Sequence, residues 1–94
     1  MKVEGAAAAR FDAGVRLLDQ GDFAGAEREL RCALELRPAH AETQYKLANA
    51  CKEQGKLAQA EQHYRAALAL APRHAEAHNN LGAALQLMQR LPEA

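Results

Sequence analysis

His74 and His78 stand four residues apart, a spacing that puts two imidazoles on one helix face and can bind zinc. Two ligands without a nearby carboxylate or thiolate are an incomplete set. His40 lies 34 residues before His74, so both read as polar starts of helices, and no metal site is expected. Cys32 and Cys51 form no CxxC pair and no disulfide framework, which suits a reducing, cytoplasmic setting. A catalytic thiolate needs a cationic neighbour and access. Cys51 falls on an apolar helical stripe, where cysteine acts as a small hydrophobe. Serine is absent, which removes serine nucleophiles and a serine-type phosphate loop. Glu27, Arg28, Glu29 and Arg31 make a mixed-charge face. Its Glu27–Arg31 pair supports a helix by ~0.2–0.5 kcal/mol, and the face is expected to be solvated. No enzyme activity and no cofactor are expected. What remains is recognition chemistry: amides such as Asn49 and Asn79 beside the rings of Phe11 and Tyr45.

The elements that position these groups must be helices. Apolar residues make up 49% of the 94-residue chain, and alanine supplies 23 of them and leucine 13. The β-branched residues are Val3, Val15 and Thr43, and aromatics are 4%. Sheet packing favours β-branched and aromatic side chains, whereas alanine, leucine, glutamate, arginine and glutamine favour helices. The fold class is therefore all-α. Twelve basic and twelve acidic residues cancel, so no strong field attracts nucleic acid or an anionic membrane. No apolar run approaches the ~18 residues that span a bilayer.

The chain repeats itself every 34 residues. Gly21 aligns with Gly55, Ala26 with Ala60, Glu27 with Glu61, Arg31 with Arg65, Ala33 with Ala67, Pro38 with Pro72 and His40 with His74. The units are 7–40, 41–74 and a partial 75–94 within a single domain, 1–94. Each unit reads as two helices joined at a glycine, which accepts the left-handed cap conformation. A proline ends the unit, since it cannot donate inside a helix. The boundaries predicted are a helix ending at Gln20, then Phe23–Leu36, Ala41–Gln54 and Leu57–Leu70. Alanines at 26, 33, 60 and 67 permit close helix contact.

These residues resemble the tetratricopeptide repeat family. The second unit supplies Leu47, Ala48, Cys51, Ala60, Tyr64, Ala67 and Pro72 at the family's characteristic positions; the first supplies Gly14, Leu17, Ala26, Ala33 and Pro38; the third supplies Leu81, Gly82, Leu85 and Ala94. The resemblance implies an α-solenoid of about two and a half helix-turn-helix repeats in a right-handed superhelix. It implies a non-catalytic module that binds a protein or peptide on the concave face. That face is lined by Phe11, Val15, Glu42, Tyr45, Asn49, Lys52, Glu76, Asn79 and Gln86. Asn79-Asn80-Leu81-Gly82 is also similar to the asparagine ladder of O-linked N-acetylglucosamine transferases, which adds Asn80 as a backbone-pairing residue. A carboxylate clamp for chaperone tails is not expected, because Phe11, Val15 and Lys46 occupy its positions.

The third unit has a first helix but only the beginning of a second, Arg90-Leu91-Pro92-Glu93-Ala94. Leu81, Leu85, Met88 and Leu91 are expected to lack cover, and each large apolar side chain is worth roughly 1.5–3 kcal/mol when buried. The chain is therefore expected to be an N-terminal fragment of a longer protein and to form homo-oligomers through this end. The alternatives to a binding module are a self-assembly scaffold and the N-terminal extension of a larger enzyme, such as a bacterial glycosyltransferase or sulfotransferase.

Overall fold

The computed structural model describes residues 3–90. They form five helices: α1 (Val3–Gln20), α2 (Phe23–Leu36), α3 (Ala41–Glu53), α4 (Leu57–Leu70) and α5 (Ala75–Arg90). Among the described residues there is no strand. Helix α1 starts ahead of the repeat unit because Glu4 and the run Ala6–Ala9 prolong it with good helix formers.

The two glycine turns use the same physical device. Gly21 and Gly55 adopt φ of +84° and +80°, the left-handed region that a side chain disfavours. Each turn then closes on the helix before it: Asp22 N–H donates to Leu17 C=O, and Lys56 N–H donates to Cys51 C=O, both at 2.9 Å. Asp22 also starts α2, its Oδ1 accepting Gly25 N–H at 2.9 Å. This satisfies a donor that the first helical turn leaves free. Pro38 and Pro72 follow the ends of α2 and α4. Gln54, expected inside the third helix, is instead its C-terminal cap.

The helices pack as antiparallel pairs, α1 on α2 and α3 on α4; α3 also lies on α2, and α5 on α4. The body measures 47 × 28 × 21 Å. Ala26, Ala33, Ala60 and Ala67 are all buried, so small residues stand where helices meet. At Gly14 the approach is closer still: a Cβ there would lie 2.5 Å from Leu30 Cγ. Leu30, Leu47, Cys51 and Tyr64 fill the core beside these positions.

The charged face of α2 departs from expectation. Glu27 is only 9% exposed. Its Oε1 accepts Gln54 Nε2 at 2.8 Å and Lys56 Nζ at 3.0 Å. Its Oε2 accepts Arg31 Nη2 at 2.7 Å and Nε at 2.9 Å. Burial disfavours the ionised carboxylate, but the bonds from Gln54, Lys56 and Arg31 outweigh it and hold the group at about 2. Arg31 also reaches Gln59 Oε1 at 3.3 Å. Glu27 thus ties the first repeat to the second, because the α3–α4 turn folds back over it. Arg28 is exposed and Glu29 pairs with Arg10 at 2.8 Å, as a solvated face allows.

Candidate functional site

The first helix of each unit contributes to a groove of about 440 Å³. Val15, Leu18 and Asp19 enter it from α1, Lys46, Asn49, Lys52 and Glu53 from α3, and Asn80 from α5, with Phe23 at the α2 end. The 34-residue repeat places these helices side by side, so residues at matching repeat positions converge from different units.

Four polar side chains organise the groove floor. Tyr64 is fully buried, and its hydroxyl donates to Asn49 Oδ1. Asn80 Nδ2 donates to the same Oδ1 at 3.0 Å and to the Tyr45 hydroxyl at 3.2 Å. Burial pushes the Tyr64 phenol well above its ordinary range, so it remains a donor. The two amides thus bond each other and one tyrosine hydroxyl each. Asn49 has its carbonyl oxygen occupied, and its NH2 has no partner among the described residues. Asn80 has its NH2 occupied, and its carbonyl oxygen has no partner among the described residues. One donor group and one acceptor therefore remain on two directly bonded side chains of the groove, the two groups that a peptide unit can pair with. Lys46 lies beside them, its Nζ 5.6 Å from the Tyr45 ring centroid. Lys52 pairs with Glu53 at 3.6 Å.

Tyr45 requires a correction. It was expected to present its ring to a partner, yet it is only 7% exposed. The tilted His74 ring lies against it with centroids 4.5 Å apart, and the Tyr64 ring centroid is 6.2 Å away. Its contribution to the groove is the hydroxyl that fixes Asn80. His74 itself is fully engaged: Nδ1 accepts Ala77 N–H at 3.1 Å, capping α5, while Nε2 donates to Glu42 Oε1 at 3.1 Å. Glu42 is thus partly committed within the chain. His78 bonds Pro72 C=O at 2.8 Å, so the two histidines serve separate backbone ends. Among the described residues, no group of three or more histidine, cysteine or acidic side chains is placed to hold a metal.

The other expected residues divide between two places. Phe11 is half-buried in a second depression of about 240 Å³, edge-on to His40 with centroids 5.6 Å apart. Val15, Asn49, Lys52 and Asn80 meet in the main groove. Glu76, Asn79 and Gln86 are exposed on α5 and do not line it. At the C-terminal end, Leu81 is only 8% exposed, packed in the core cluster with Ala77 and Ala84. The expectation that it lacks cover is therefore corrected. Leu85 and Met88 are half-buried, and Leu91 lies outside the described residues. Sequence reasoning missed Phe23 as a lining residue and Tyr64 as the support of Asn49. Lys46, at the repeat position of Asn80, was the signal available for a further groove residue.

A family model described as TPR repeat matches residues 48–89. Another, described as tetratricopeptide repeat, matches residues 7–31. No curated protein matches the chain. No helix among the described residues is long and apolar enough to cross a membrane.

Proposed function

Since the chain is a tetratricopeptide repeat protein, we propose that it binds an extended segment of a partner protein along the groove of α1, α3 and α5. Repeats of this family generally mediate protein–protein interaction and are typically non-catalytic. The observation that carries the finer reading is the Asn49–Asn80 pair, bonded to each other at 3.0 Å in the groove with one NH2 and one carbonyl oxygen left without a partner among the described residues. One partner residue in extended conformation offers its C=O to Asn49 and its N–H to Asn80. Val15, Leu18 and Phe23 supply apolar contact next to this pair, and Lys46 and Lys52 supply cations for an acidic neighbour. Two free cysteines suit a reducing cytoplasm.

The test starts from peptides selected against the chain from a random library, with affinities measured by fluorescence polarisation. Asn49→Ala and Asn80→Ala should each weaken binding about tenfold, the worth of a lost buried hydrogen bond to a partner, while far-ultraviolet circular dichroism stays unchanged. Peptides that bind both variants as tightly as the parent chain would refute the groove.

A further inference from the structure

The two complete repeats treat one histidine differently. In the second, His74 uses both ring nitrogens: Nδ1 accepts Ala77 N–H and Nε2 donates to the Glu42 carboxylate, both at 3.1 Å. In the first, His40 stands at the matching position, with Phe11 in place of Tyr45 and Thr43 in place of Ala77. The Phe11 and His40 ring centroids are 5.6 Å apart, and His40 Nδ1 is bonded to the Thr43 hydroxyl at 2.6 Å. His40 Nε2 has no partner among the described residues, because the counterpart of Glu42 is Ala8. Where that carboxylate is missing lies the depression of about 240 Å³, walled by Ala8 and Phe11 on one side and His40 and Arg37 on the other.

Arg37 is the second departure. It is exposed at this depression and forms no ion pair among the described residues. Its counterpart in the second repeat is Ala71. The cation is thus present in the repeat that lacks the carboxylate and absent from the repeat that has it. We propose that a glutamate side chain of the partner segment fills this depression, taking in the first repeat the place that Glu42 holds in the second. The Thr43 hydroxyl donates to His40 Nδ1, so Nε2 carries the hydrogen that the carboxylate accepts, as at His74. Arg37 adds a charged donor, and the methylene groups lie on Phe11 and Ala8. Asp12 also lines the depression, and Arg37 offsets its charge. The proposal rests on the reading of the groove and extends it, because α1 and α3 wall both depressions. His40 precedes Asn49 by nine residues, about 13 Å along a helix axis. At about 3.3 Å per extended residue, the glutamate stands about four residues from the one held by Asn49 and Asn80.

Peptides selected against the chain from a random library test this by fluorescence polarisation. They should share a glutamate at one position, and its replacement by glutamine in the peptide should weaken binding about tenfold, the loss of a charge-assisted hydrogen bond. Two variants of the chain locate that glutamate. Ala8→Glu reproduces the second repeat's arrangement and supplies the carboxylate from within, whereas Arg37→Ala removes the cation. Both positions are exposed, so the circular dichroism of each variant should match that of the parent. The glutamate and glutamine peptides should bind Ala8→Glu equally to within about twofold, and the difference should shrink in Arg37→Ala to about threefold. Selected peptides without a shared acidic position overturn the proposal, as does a glutamate preference that survives Ala8→Glu undiminished. The groove fails by a different result. If Asn49→Ala and Asn80→Ala leave affinity unchanged while the glutamate preference still vanishes in Ala8→Glu, the depression stands and the groove falls.

Discussion

Replacing Glu27 by glutamine keeps its shape and removes its charge. The carboxyl is held at about 2 against an ordinary 4.5, which sets an upper bound of about 3 kcal/mol on what its ionised form contributes. Its partners reduce that figure. The Lys56 and Arg31 side chains are 42% and 44% exposed, and water screens pairs at such sites. A cost of about 1–2 kcal/mol at neutral pH is the reasoned value, equal to a fall of roughly 5–15 °C in Tm for a domain of this size. The pH dependence has a definite sign. A depressed carboxyl stabilises the fold fully above its unfolded value and loses that contribution as pH falls through the folded one. Thermal melts of the parent chain and Glu27→Gln should therefore differ most above about pH 5 and converge towards pH 2. Glu61→Gln provides the internal control. Glu61 pairs with Arg65 at 2.9 Å, with Arg65 58% exposed, so its removal should cost under about 0.5 kcal/mol. A Glu27→Gln chain as stable as the parent at pH 7, or a difference that does not narrow in acid, would refute the account of Glu27 as the tie between repeats.

Gly14→Ala and Gly82→Ala should shift stability in opposite directions in urea denaturation. The first drives a methyl into Leu30 and should cost about 1–3 kcal/mol, while the second enters open space and should gain up to about 1 kcal/mol. Equal effects would show that Leu30 does not pack as described. Tyr64→Phe removes the hydroxyl that holds Asn49 and should cost about 0.5–1.5 kcal/mol. The Asn49 side-chain amide resonances should shift with it, and unmoved resonances would place Tyr64 outside the network. His74→Ala removes the cap on Ala77 N–H and the bond to Glu42, for about 1 kcal/mol. An unchanged chemical-denaturation midpoint would contradict the capping role.

The helices were legible because their signals are local. Gly21 and Gly55 mark turns through a backbone conformation that other residues resist, and Pro38 and Pro72 mark the following breaks. The ends at Gln20, Leu36 and Leu70 therefore agree with the expected ones. The small residues of the helix contacts were legible too, since Ala26 and Ala60 recur at one spacing and both end fully buried. The candidate groove was legible only in part. Asn49, Val15, Lys52 and Asn80 do converge, but Tyr45 looked like a binding ring and is covered by His74, 29 residues further on.

Sequence alone thus determined the helices, most of their ends, their period and the small residues where they touch, because each depends on a residue's own backbone preference or on spacing along one helix. Tertiary structure decided which polar groups are enclosed. Glu27 is buried by Gln54 and Lys56, and Asn49 is turned by Tyr64 and Asn80. Those partners come from other helices and turns, 15 to 31 residues away. Whether a carboxylate is solvated or an amide is aimed depends on what folds against it, which periodicity within one helix does not encode.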